Sequence, residues 1–190
     1  MSDLFFTNGQ FLNHFNKISP ERIVAATRTP FFLYSGETIE DRYRYLLDCI
    51  EWDDTRLFYA MKSNYNPEIL KLLLCAGSGI DAVSPAEVFL ALECGFSAGR
   101  IIFTSNNATD EEIAEVVQSG VLINIDSLSR LEKFAKNYSG GSVCLRFNSD
   151  VVAGEHKHIM TGGDETKFGI LRSDADRAAD ICRRSGLRVC

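Results

Sequence analysis

Short apolar runs, each followed at once by a helix-start signal, recur along this 190-residue chain. Ile80-Asp81-Ala82-Val83 gives way to Ser84-Pro85-Ala86-Glu87, where Ser84 can cap a helix, Pro85 suits its first position and Glu87 completes a capping box. Thr109-Asp110-Glu111-Glu112 and Asn66-Pro67 repeat the device. A strand followed by a capped helix, many times over, predicts βα units around a parallel sheet. The predicted strands are 31–34, 57–62, 80–83, 100–104, 121–125, 143–147 and 187–190. The predicted helices are 38–50, 67–75, 85–94, 109–119, 128–137 and 174–185.

One residue stands out within this rhythm. Lys62 closes the apolar run Leu57-Phe58-Tyr59-Ala60-Met61. A continuous run of that kind reads as a strand buried on both faces. An ammonium at its end is costly unless it is paired or used covalently, and lysine is the side chain of imine chemistry with carbonyl compounds. The alternative is a strand-end lysine that reaches solvent along its stem. Other polar residues share its position. Asp81 with Ser84, Ser105 with Asn106, Asp126 with Ser127, and Arg146 with Asn148 all fall at or near the carboxyl ends of predicted strands. In a βα barrel that face carries the active site. Each of them also fits a helix cap or a solvated turn, and Asp126 and Ser127 fit that reading best.

Composition narrows the classes. The net charge of −6 and the pI near 5.1 disfavour a nucleic-acid scaffold, and the hydrophobic content of 45% is ordinary for a globular protein. No run approaches the roughly 18 apolar residues of a membrane span. The start, Met1-Ser2-Asp3-Leu4-Phe5-Phe6, lacks a basic region and a small-residue cleavage site, so a cytoplasmic protein is expected. The six cysteines form no CxxC pair, which argues against zinc ribbons and disulfide frameworks and for buried reduced thiols. His156 and His158 are two apart but have no convincing further ligands, so no metal site is expected.

Tyr59-Ala60-Met61-Lys62-Ser63-Asn64 resembles the pyridoxal-phosphate lysine motif of the fold-type III decarboxylases, the group with an alanine-racemase-like barrel. The likeness continues in order. Gly79 to Glu87, Arg100 to Asn106, Val121 to Ser127 and Leu145 to Asn148 are similar to the second to fifth strands, and Thr161 to Ile170 to the segment after the fifth. Ala153-Gly154-Glu155-His156 leading into Thr161-Gly162-Gly163 is most similar to the branch that decarboxylates meso-diaminopimelate to lysine, rather than the ornithine branch. There are departures: Asn148-Ser149 stands where members often carry Asn-Pro, and Asn107-Ala108 lacks a lysine common there.

The resemblance implies an α/β fold, a (β/α)8 TIM-type barrel of which this chain holds about the first five to six βα units. It implies residues 1–35 as an N-terminal segment whose strand joins a C-terminal β-domain, and 36–190 as a partial barrel. It implies pyridoxal 5'-phosphate as cofactor, a small amino-acid substrate, a homodimer at full length, and no nucleic acid or membrane. Lys62 is then the catalytic residue that attaches the cofactor. Asp81, Arg146 and His156 are cofactor-binding, and Lys167 is structural. A whole barrel needs about 250 residues. The chain is therefore expected to be an N-terminal part, inactive alone, with the remaining cofactor and substrate contacts beyond Cys190. Decarboxylation of ornithine or arginine, racemisation, and a non-catalytic pyridoxal-phosphate-binding or regulatory relative stay open.

Overall fold

The computed structural model describes residues 18–148 and 168–190. They divide into one unit up to Thr55 and a second from Arg56. In the first unit, α1 (Pro20–Ala26) begins at Ser19, whose side chain accepts from the Arg22 N–H. Helix α2 (Gly36–Asp48) begins at Ser35, whose side chain accepts from the Thr38 N–H. The predicted elements include no helix as early as α1, although Ser19-Pro20 carries the same cap-and-proline signal as Ser84-Pro85. The predicted strand 31–34 is not formed. Phe31, Phe32, Leu33 and Tyr34 are exposed and enter no ladder among the described residues. An apolar, β-prone run becomes a strand only where another strand meets its backbone donors and acceptors.

The second unit alternates strand and helix. Its elements are β1 (Phe58–Ala60), α3 (Pro67–Ala76), β2 (Gly79–Ala82), α4 (Pro85–Glu93), β3 (Ile101–Thr104), α5 (Asp110–Gln118), β4 (Leu122–Ile125), α6 (Leu128–Asn137), β5 (Ser142–Leu145), α7 (Ala175–Ser185) and β6 (Arg188–Val189). All neighbouring pairs are parallel, and the sheet order is β1-β2-β3-β4-β5-β6. A doubly wound sheet reverses direction at a switch point, whereas a barrel adds each strand beside the last. The order observed is that of the (β/α)8 barrel, carried through six strands among the described residues.

Caps fix where each helix starts. Thr109 accepts from the Glu112 N–H at 3.2 Å while Glu112 accepts from the Thr109 N–H at 2.7 Å, a complete capping box. At α4 the box is shifted. Ser84 accepts from the Glu87 N–H, but the Glu87 carboxylate accepts from Val83 rather than from the cap residue itself. Helix α3 ends on Gly77 at φ 100°, where a left-handed residue closes the last turn.

The strands alternate. Ile80 and Ala82, Ile101 and Phe103, Ile123 and Ile125, and Val143 are buried in one core with Leu70, Val88, Val116 and Leu131 of the helices. Residues between them on the same strands, Asp81, Ile102, Thr104, Asn124 and Cys144, are only half-buried. Each large apolar side chain taken fully into that core contributes about 1.5–3 kcal/mol.

Two expectations are corrected. The run 57–62 is not a strand buried on both faces. It pairs only over Phe58–Ala60, which is half-buried and has β2 as its one neighbour among the described residues, and it passes into a 3-10 turn at Met61–Ser63. The six cysteines are free, but only Cys182 is buried, and Cys49, Cys75 and Cys190 are exposed. Cys49 and Cys75 lie in the closing residues of helices, away from the inward stripe. Among the described residues no helix is long and apolar enough to cross a membrane.

Candidate active site

The half-buried face of the sheet opens into a cleft of about 630 Å³ at the carboxyl ends of the strands. Lys62, Asp81, Thr104, Ser105, Asn106, Asn124, Cys144 and Arg146 line it, with Phe58 and Phe168 among its apolar wall. Two cations and one carboxylate face it, on a chain whose net charge is −6. A locally positive cleft on an acidic protein favours an anionic ligand.

Lys62 is exposed to this cleft because the turn that carries it is tied down on both sides. Met61 before it is fully buried. The Asn64 N–H donates to the Met61 carbonyl at 3.1 Å, and the Tyr59 hydroxyl donates to the Asn64 carbonyl at 3.2 Å. The Asn64 side chain then accepts from the Asn66 N–H, and the Asn66 side chain accepts from the Glu68 N–H as the cap of α3. The run after Lys62 is thus a chain of short polar side chains that hold a turn and leave the amine free to project.

Asp81 and Asn124 sit on β2 and β4, with β3 between them. The Asn124 amide donates to Thr104 Oγ1 at 3.2 Å, the residue opposite it on β3. Among the described residues, Asn124 Oδ1 and Asp81 Oδ1 are both buried and have no hydrogen-bond partner. A buried acceptor without a donor costs about 1–3 kcal/mol, so two in one cleft mark places that a bound group would satisfy.

Arg146 follows β5. Its N–H donates to the Ile125 carbonyl at 2.8 Å, and its own carbonyl accepts from Ile170 at 2.8 Å. Its guanidinium carbon lies 4.9 Å from the centroid of the Phe168 ring. Asp126, next along from β4, is buried and does not line the cleft. Burial pushes its carboxyl above the usual range, against its backbone hydrogen bond and then the pull of Arg146 and Arg130. Burial likewise pushes the Cys144 thiol up, so it stays protonated at neutral pH.

Of the polar strand-end residues singled out in the sequence, Lys62, Asp81, Ser105, Asn106 and Arg146 come together in the cleft. Ser84 and Ser127 are helix caps, and Asn148 is buried outside the lining. His156, His158 and Lys167 lie outside the described residues. Thr104, Asn124, Cys144 and Phe168 were not singled out. The first three were legible as polar or small residues at every second position of apolar strands, which a barrel reserves for its inner face.

A parallel sheet in barrel order, with a lysine and polar side chains gathered at the carboxyl ends of its strands, defines a βα-barrel protein with a candidate site on the face where such barrels carry theirs. The chain belongs to the pyridoxal-dependent decarboxylase family: the model of that family's pyridoxal binding domain matches residues 37–190. It is 39% identical over 150 residues to the diaminopimelate decarboxylase of Methanothermobacter thermautotrophicus, a match covering 77% of this chain and 35% of that protein. It is also 39% identical to a probable chloroplastic diaminopimelate decarboxylase of Oryza sativa subsp. japonica, over 77% of this chain and 31% of the relative. The chain thus spans about a third of the length of these curated relatives. Among solved structures, diaminopimelate decarboxylase from Helicobacter pylori, complexed with L-lysine, superposes with a TM-score of 0.82 at 28% identity, over 89% of this chain and 44% of that one.

Proposed function

We infer that the protein carrying this chain is a pyridoxal-phosphate-dependent decarboxylase acting on meso-diaminopimelate, and that this cleft holds the cofactor. One observation carries the reading: a projecting primary amine, Lys62, shares a cleft with two buried acceptors, Asp81 Oδ1 and Asn124 Oδ1, that have no partner among the described residues. The residues present suit pyridoxal 5'-phosphate. Lys62 is the amine an aldehyde requires, Arg146 brings donors for acceptor oxygens, and the local positive charge suits an anion. When bound, the cofactor supplies the electron sink for the pair left behind by carbon dioxide.

The side chains of this chain bind and orient. Lys62 would hold the cofactor through its amine. Arg146 and Asp81 bear opposite charges in the cleft and fix the orientation of the ring system. His156 is assigned to the same pocket on the family resemblance alone. The choice of meso-diaminopimelate is supported by the names of the two curated relatives and by the segment 153–163. By the same resemblance, residues 1–35 contribute a strand to a separate β-domain, and the whole enzyme works as a cytoplasmic homodimer.

The test uses the complete protein loaded with pyridoxal phosphate and reduced with borohydride. The label is expected on the peptide containing Lys62 and absent from Lys62→Ala. Carbon dioxide release should be faster from meso-diaminopimelate than from ornithine, arginine or lysine. A label elsewhere sinks the site, and a higher kcat/KM on ornithine sinks the substrate while leaving the cofactor reading intact.

A further inference from the structure

We propose that Phe168 is a positioning residue for the cofactor, acting through Arg146: its ring takes up one face of the guanidinium and so presents the in-plane N–H donors to the cleft. This rests on the cofactor reading above. Neither the motif likeness nor the strand-end pattern assigns Phe168 a role.

The geometry comes from three places. The guanidinium carbon of Arg146 lies 4.9 Å from the Phe168 centroid, within the range of a cation–π contact. Both residues line the same cleft. Among the described residues the Arg146 side chain enters no ion pair or hydrogen bond, although Asp126 lies near enough to feel its charge. A guanidinium stacked on a ring spends its π face and keeps its five donors, which lie in the plane and diverge from its edges. Stacking therefore orients the group without consuming what a ligand needs.

The backbone that delivers Phe168 is held closely. Ile170 donates to the Arg146 carbonyl, and Asn148 donates to the Ile170 carbonyl, each at 2.8 Å, forming a parallel bridge between Phe147 and Ile170. Gly169 sits between ring and bridge at φ +88°, with its α-carbon so close that an added Cβ would lie 2.6 Å from the Asn148 nitrogen. The backbone of the arginine and that of its aromatic partner are thus fastened to each other directly. Where the chain just after β5 places Arg146, the ring follows. This arrangement fixes a side chain of many rotamers at one point of the cleft, before any ligand arrives.

The experiment is a double-mutant cycle on the complete apo-protein, read as the Kd for pyridoxal phosphate by equilibrium titration. Phe168→Leu keeps an apolar side chain but removes the π face, and is expected to raise Kd roughly three- to ten-fold. Phe168→Tyr keeps the ring and is expected to bind like the wild type. In an Arg146→Ala background, Phe168→Leu should change Kd by less than about two-fold, because the residue it acts through is gone. An equal rise in both backgrounds overturns the proposal in favour of a purely structural ring, as does a wild-type Kd for Phe168→Leu. If Phe168→Leu fails to fold, the Tyr variant decides alone: a raised Kd there overturns the proposal, and an unchanged Kd supports it. A wild type that takes up no cofactor sinks the cofactor reading itself, and this inference with it.

Discussion

At the scale of single residues, Gly169, next to Phe168 of the cleft, has little freedom. Its φ of +88° lies in the left-handed region, and a methyl group there meets backbone atoms of Phe147 and Asn148 at 2.8 and 2.6 Å. Backbone cannot swing aside as a side-chain end can. Gly79 makes the contrast, since its added Cβ would meet the Phe58 ring first, at 2.5 Å, and a ring can rotate. Gly169→Ala is therefore expected to lower the stability of the protein by at least about 2 kcal/mol, from left-handed strain plus displaced backbone. Gly99→Ala, with nothing within 4 Å, should change it by less than about 0.5 kcal/mol. Urea unfolding midpoints of the two variants check this, and equal midpoints would refute it. The residue scale is also where the sequence was least legible. Lys62, Asp81 and Arg146 could be marked because a charge at the end of an apolar run is conspicuous. Asn124 was legible only through the alternation of its strand, and Phe168 was not legible, because a phenylalanine before a glycine looks ordinary until the bridge between Phe147 and Ile170 brings it to the cleft.

At the scale of elements, helix starts were the most readable feature. A cap works through atoms two or three residues away, so a short window of sequence contains the whole interaction. Helix α6 (Leu128–Asn137) matches its predicted range, and α3 and α4 differ by one residue at their ends. Strands were less legible at their margins, because a strand ends where its neighbour ends. β1 stops at Ala60 although the apolar run continues, and β5 stops at Leu145 although the run continues to Phe147, which pairs instead with Ile170. The unformed strand 31–34 is the same effect at its limit. The capping box at α5 gives a direct test of the local account. Thr109→Ala removes the hydroxyl that the Glu112 N–H needs and should cost about 1 kcal/mol, whereas Thr109→Ser should cost only a few tenths. Both are measured as shifts in chemical unfolding midpoint, and an unchanged midpoint for the alanine variant would show that α5 is held by packing alone.

At the scale of the whole molecule, the sheet has two free margins among the described residues, at β1 and β6. Unpaired strand margins offer donors and acceptors to any passing chain. Expressed by itself, this 190-residue chain is expected to self-associate and to bind pyridoxal phosphate weakly, as judged by light scattering and cofactor titration. A monodisperse, cooperatively unfolding monomer with micromolar affinity would contradict this. The strand order also sets a timetable for synthesis. Each strand from β2 to β6 pairs with the one made just before it, so when it leaves the ribosome its partner is already waiting. Every such pairing spans only one βα unit, and pairings between segments close in sequence form quickly. Translation can therefore lay the sheet down unit by unit, with one temporary margin that moves forward as the chain lengthens and is covered by the next arrival. In a closed barrel one seam alone joins strands far apart in the message, so the slowest and most exposed step of assembly falls at the end of translation.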